Sequence, residues 1–242
     1  MIGMFGVDMH LLTMAETVSL VDSRISRGEF TQHVVVNVAK IVHIQSDAAL
    51  AESVRACDIV NIDGMGIVWG ARLLGLEVPE RVAGVDLFHE LLALAARKGY
   101  PVFLLGAELA IVEEVARRVQ SANRGLQVAG FHHGYFWDDE DAVVTLIRES
   151  GARLLFVAIT SPRKENFINR WRDQLGVHFV MGVGGTFDVV AGKVKRAPLW
   201  MQRAGLEWLY RVVQEPRRMW RRYLRTNTVF LMMLLRAMRA RG

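Results

Sequence analysis

The stretch PVFLLGAELAIVEEVARRVQ (residues 101–120) decides the fold. Its first six residues form an apolar run ending in glycine, too short for a helix core and suited to a buried strand. From residue 108 to 122 the apolar residues recur at helical spacing, with charged residues between them. A buried strand passing through a glycine into an amphipathic helix is half of a βαβ unit.

The same unit repeats on both sides. Downstream, LQVAGF (126–131), LLFVAI (154–159) and HFVMGV (178–183) read as strands; upstream, HVVVN (33–37) and DIVNI (58–62) do. Residues 40–56, 65–75, 85–98, 139–150 and 163–175 read as the helices between them. Strands apolar almost throughout imply a sheet covered on both faces. The expectation is an α/β fold, a Rossmann-like, doubly wound and mostly parallel sheet. Residues 1–30 are expected to add an edge strand and a helix. No internal repeat and no linker marks off a second domain, so the division expected is an α/β body, 1–192, carrying a basic C-terminal appendage, 193–242.

Charge separates those two parts. The chain has 242 residues, 52% of them hydrophobic, and a net charge of +5. Residues 193–242 carry 13 Lys and Arg against two acids, Glu207 and Glu215, a net +11, whereas residues 1–192 carry a net −6. The single cysteine, Cys57, excludes an internal disulfide and suits a reducing compartment, so a cytoplasmic location is expected. MIGMFGVDMHLL lacks the basic and long apolar regions of a signal peptide. The apolar run 229–235 falls far short of the roughly 20 residues that span a bilayer.

Ligands of open α/β sheets bind beyond the carboxyl ends of the strands. That rule singles out Asn37, Asp63-Gly64, Gly106, His132 to Tyr135, Thr160 to Glu165 and Gly184 to Asp188. Asp63 reads either as a catalytic carboxylate or as a helix cap. In PERVAGVDL (79–87), Arg81 and Asp86 flank Gly84 ahead of a helix, either as an anion site or as an ion pair with each other. GVGGTFD (182–188) is a glycine-rich turn without the spacing of the dinucleotide fingerprint. His132-His133 lacks common zinc spacing, and no metal site is expected.

Taken together, Asp63-Gly64, ERVAGVDL (80–87), LLG (104–106), HGYF (133–136), VGGTFD (183–188), AG (191–192), RAP (196–198), GLEWLYR (205–211) and EPRR (215–218) resemble the WecG/TagA/CpsF family of bacterial glycosyltransferases, glycosyltransferase family 26, over nearly the whole chain. The resemblance implies a metal-independent, inverting transferase with no cofactor beyond its UDP-sugar donor. Its product would be an N-acetylmannosamine-type sugar, or another hexose, on a polyprenyl-diphosphate-linked saccharide. It also implies that Asp63 is the general base; Arg81 is expected to act in catalysis by stabilising the charge on the departing UDP. Asn37, Gly64, Gly84, Asp86, Gly106, Tyr135, Pro162, Lys164, Gly184, Gly185 and Asp188 would line the donor site.

Two positions depart from the family pattern. Thr-x-Asn appears as Val35-Val36-Asn37, and Gly-x-Pro-Lys-Gln-Glu appears as Thr160-Ser161-Pro162-Arg163-Lys164-Glu165. Lost hydrogen-bonding groups change which substrate a site accepts, so a glucosyl or uronosyl donor is the alternative, with Lys164 contacting a diphosphate or a sugar carboxylate.

In the appendage, Trp208, Tyr210, Trp220 and Tyr223 interleave with Arg211, Arg217, Arg218, Arg221, Arg222 and Arg225, followed by Arg236, Arg239 and Arg241. Such a helix suits an anionic membrane surface. Residues 200–242 are therefore expected to dock on the inner face of the cytoplasmic membrane, with Arg211, Arg217 and Arg221 reaching the donor diphosphate. No nucleic-acid partner is expected, and self-association is left open. A nucleotide-binding oxidoreductase and a non-catalytic membrane module are the competing classes.

Overall fold

The computed structural model describes residues 1–240; Arg241 lies outside them. The chain opens with a hairpin, β1 (Ile2–Met4) and β2 (Val7–Met9), followed by α1 (Met14–Ser26). The alternating body is β3 (Thr31–Val36), α2 (Val38–His43), α3 (Ala48–Arg55), β4 (Ile59–Ile62), α4 (Met65–Leu73), α5 (Gly84–Lys98), β5 (Val102–Gly106), α6 (Leu109–Ala122), β6 (Val128–His132), α7 (Glu140–Glu149), β7 (Leu154–Ala158), α8 (Arg163–Trp171) and β8 (Phe179–Gly182). A short α9 (Thr186–Val190) precedes α10 (Leu199–Arg203), α11 (Glu207–Gln214) and α12 (Pro216–Arg239).

The main sheet has six strands in the order β4-β3-β8-β7-β5-β6, and every pairing is parallel. Alternate residues of each strand face opposite layers. Leu104, Phe156 and Met181 pack beneath α1, α5 and α6. Phe103, Leu105, Leu155, Val157 and Val180 pack beneath α7 and α8, and Val34, Val36, Val60 and Ile62 beneath α2, α3, α4 and α12. This is the doubly wound α/β fold expected.

Three local expectations change. The N-terminal segment does not add an edge strand to the main sheet. Phe5 and Gly6 take positive φ (53° and 81°) and turn the chain back, so β1 and β2 pair antiparallel with each other. The hairpin is tied to β4 by the His10 backbone N–H, which donates to the Val60 carbonyl at 2.8 Å. The helix expected over 40–56 divides into α2 and α3, because the Asp47 side chain accepts from the Leu50 N–H at 3.0 Å and starts a new helix. Among its described residues the appendage forms three helices, broken at Gly205 (φ 73°) and at Pro216.

The long helix α12 returns to the body. Phe230 and Leu234 are buried against α2 and α4, each contributing on the order of 1.5–3 kcal/mol. Gly70 of α4 admits this approach: a Cβ there would sit 3.0 Å from the Phe230 ring and 3.2 Å from Leu234. The hairpin tip meets the same helix, with Phe5 edge-on to Phe230 at 5.7 Å.

Candidate active site

The ends of β3 and β4 build the site. The Asp63 and Gly64 backbone N–H groups both donate to the Val36 carbonyl, at 2.9 and 3.4 Å, which presses the two strand ends together. A Cβ on Gly64 would lie 3.0 Å from Asn37 Cβ and 3.2 Å from its Cα, so glycine is what the approach permits. Asn37 caps α2, its side-chain oxygen accepting from the Lys40 N–H at 3.1 Å. Gly64 is the N-cap of α4 and no side chain caps that helix. The capping reading of Asp63 therefore falls away, and its carboxylate is left for the cavity in front of it.

Asp63 is held from two directions. Arg81 Nη1 stands 3.7 Å from Asp63 Oδ1 and donates to the Asp63 carbonyl at 3.4 Å. Gly84, at the start of α5, brings its backbone N–H to the carboxylate. The Asp63 side chain is 29% exposed and lines the cavity. Burial pushes its carboxyl above the ordinary aspartate range; Arg81 pulls it down, Glu207 pushes it further up, and Arg211 and the Gly84 N–H pull it down. A base with raised proton affinity is better matched to abstracting a hydroxyl proton near neutral pH.

Arg81 and Asp86 do not pair with each other. Asp86 forms a two-pronged ion pair with Arg196, at 2.5 and 2.8 Å. Arg81 turns instead to Asp63 and to Glu207, whose Oε2 accepts at 3.4 Å. Glu207 also meets Arg196 Nε at 3.4 Å. A continuous ionic chain thus runs Asp63, Arg81, Glu207, Arg196, Asp86 and fastens the C-terminal segment over the strand ends.

Between body and segment lies a cavity of about 410 Å³. Its lining combines polar side chains, Asn37, Asp63, Arg81, Arg211, Arg222 and Tyr223, with apolar ones, Trp69, Leu73, Phe230, Leu231 and Leu234. Of the residues chosen from sequence, Asn37, Asp63, Gly64, Arg81, Gly84 and Arg211 line this cavity, and Asp86 braces it through Arg196.

The remaining choices lie elsewhere. Gly106 (φ 124°) ends β5, and a Cβ there would fall 2.5 Å from the Ala158 carbonyl oxygen. Gly184 and Gly185 face open space, Tyr135 is exposed, and Asp188 lies 4.0 Å from Lys193. With Pro162 they sit at the ends of β5 to β8, outside the cavity wall. Lys164 is buried, its ammonium on Glu165, which also binds Lys40 at 2.7 Å. Arg217 and Arg221 are exposed on α12, with Arg221 over the Trp220 ring.

Sequence reasoning did not select Arg196, Glu207, Trp208, Arg222 or Tyr223. The available signal was Glu207, one of two acids in a segment of net charge +11. Among the described residues no group of three or more His, Cys, Asp or Glu side chains is arranged to hold a metal ion, and no helix is long and apolar enough to cross a membrane.

The Bacillus subtilis (strain 168) protein named N-acetylglucosaminyldiphosphoundecaprenol N-acetyl-beta-D-mannosaminyltransferase is 38% identical over 162 residues, 67% of this chain. The chain spans 62% of that relative's length. The match to the family described as "Glycosyl transferase WecG/TagA/CpsF family" extends over residues 2–242, from the hairpin through the strand ends to the helices that close the cavity. The chain belongs to the WecG/TagA/CpsF family of glycosyl transferases.

Proposed function

We propose that this protein transfers a sugar from a UDP-sugar to a polyprenyl-diphosphate-linked saccharide in envelope or extracellular polysaccharide synthesis, with inversion and without a metal. The observation that carries this reading is the mixed lining of the cavity: a carboxylate of raised proton affinity beside arginines, together with an apolar wall from α4 and α12. A lipid-linked saccharide has the same mixed character. The family supports sugar transfer, and the relative's name supports a lipid-diphosphate acceptor and an N-acetylmannosamine-type sugar.

In the proposed reaction Asp63 takes the proton of the acceptor hydroxyl as that oxygen bonds to the anomeric carbon. The bond from that carbon to the UDP oxygen breaks on the opposite face. The departing diphosphate gains negative charge, which Arg81, Arg211, Arg222 and the N–H groups opening α5 are placed to stabilise. Gly106, Tyr135, Pro162, Gly184, Gly185 and Asp188 would hold the nucleoside end along the neighbouring strand ends, where open sheets commonly bind nucleotides. Lys40 and Lys164 share the single carboxylate of Glu165, leaving one net positive charge buried behind Gly182. That charge suits an anionic donor.

The appendage, 193–242, is proposed to seat the body on the inner face of the cytoplasmic membrane. Trp220, Leu224, Leu231, Leu235 and Met238 are exposed, and their spacing puts them on one stripe of α12. Arg221, Arg225, Arg236 and Arg239 follow on the adjoining stripe, an arrangement that suits the headgroup plane. Leu231 belongs both to this stripe and to the apolar wall of the cavity, so a prenyl chain could pass from bilayer to cavity without crossing water.

A panel of UDP-sugars incubated with a short-chain lipid-diphosphate-sugar acceptor tests the reading. One sugar is expected to be transferred, with UDP released in equal amount and the product identified by mass and linkage. Binding of NAD(P) without UDP release from any donor would support the oxidoreductase class instead.

A further inference from the structure

Glu207 folds back toward Asp63, away from solvent. Its side chain is 17% exposed, with one oxygen 3.4 Å from Arg81 Nη1 and the other 3.4 Å from Arg196 Nε. The same Arg81 nitrogen faces Asp63 Oδ1 at 3.7 Å. Two carboxylates therefore compete for one guanidinium nitrogen, the second delivered from 126 residues further along the chain. Its placement is fixed locally. Gly205 makes the turn into α11 with φ 73°, and a Cβ there would meet Met65 at 2.7 Å and Trp69 at 3.2 Å. The turn is thus pressed onto α4, and Glu207 becomes the first residue of α11.

We infer that Glu207 is a positioning residue for the transfer reaction: it draws Arg81 partly off Asp63, so that docking of the C-terminal segment keeps Asp63 a competent base. The inference rests on the reading of Asp63 as the base. An arginine paired directly with a carboxylate lowers its proton affinity by about 1–3 pKa units. Shared with a second acid, and at 3.7 Å, Arg81 pulls less. The groups facing Asp63 are Arg81 from the loop before α5, Glu207 and Arg211 from α11, and Tyr223 from α12. The Gly84 N–H adds to the arginines' pull. Glu207 is the one acid among them, and burial works in the same direction as its charge. Without it, Arg81 settles on Asp63, the carboxylate holds its proton less tightly, and the base weakens.

The test is a titration of full-length protein carrying ¹³C-labelled aspartate, with Asp63→Asn assigning the resonance, alongside the pH profile of kcat/KM. In Glu207→Gln, which keeps the size of the side chain, the Asp63 pKa is expected to fall by about one unit. The acid limb should move to lower pH by the same amount, with kcat at neutral pH reduced about three- to tenfold. Glu207→Asp, which keeps the charge, should return both toward the parent. A folded Glu207→Gln protein whose Asp63 titration and acid limb stay in place overturns the inference, even if its rate falls. Activity retained by Asp63→Asn overturns the reading of the base instead, and the titration still reports whether Glu207 acts on Asp63.

Discussion

Replacing Asp63 with Asn is expected to lower the rate of transfer by about 10²- to 10⁴-fold, the range supplied by a positioned general base, while UDP-sugar binding stays near the parent value. The asparagine keeps the shape of the side chain and cannot take a proton. The backbone N–H groups that hold residues 63 and 64 on Val36 do not depend on the side chain, so the strand end should keep its form. The pH profile supplies the matching check. Burial raises the Asp63 carboxyl above its ordinary value, and only the unprotonated form acts as base. Activity should therefore be lost as pH falls through that raised pKa, at higher pH than for an ordinary aspartate, and be complete above it. Steady-state kinetics with a saturating donor, together with a binding titration of UDP, reads both parts. A donor affinity that falls as far as the rate would assign Asp63 to binding.

The second large effect concerns the outer stripe of α12. Changing Leu224, Leu235 and Met238 together to Ser is expected to weaken association with vesicles containing anionic lipid by about 10³-fold or more, since each apolar side chain is worth on the order of 1.5–3 kcal/mol when buried. All three are exposed and none lines the cavity. Transfer to a short-chain acceptor that stays in solution should be unchanged, and transfer to a long-chain acceptor in vesicles should be lost. Co-sedimentation and the two assays side by side measure this. Raising the salt should weaken vesicle binding of the parent protein, because the arginine stripe acts through exposed charge. Vesicle binding untouched by the three substitutions would return α12 to the role of a packed structural helix.

What was legible in the sequence follows from what each pattern encodes. Runs such as LLFVAI can only be buried strands between helices, so the six-stranded sheet and the rim carrying Asn37, Asp63 and Gly64 could be read directly. Signals carried by a single residue were harder. The Asp47 side chain divides one expected helix into two, and the Phe5-Gly6 turn diverts an expected edge strand into a hairpin, yet neither alters hydrophobic periodicity. Partners far apart were not legible at all. Arg81 stood beside Glu80 and five residues before Asp86 in sequence, but it pairs with Glu207, while Asp86 pairs with Arg196. Periodicity also marks α12 as apolar without saying which of its apolar stripes is buried. Phe230 and Leu234 close on the body, and Leu224 and Leu235 do not.

On the proposed reading, transfer takes place in the cavity between the strand ends and the C-terminal helices, with the acceptor's lipid lying along its apolar wall. Photolabelling tests it most directly, using an acceptor analogue with a diazirine in its first prenyl units, UDP present, and modified peptides located by mass. Label is expected on the segments holding Trp69, Leu73, Leu231 and Leu234, displaced by unlabelled acceptor. Label concentrated on the opposite edge of the sheet, around β6 and α7, would contradict it.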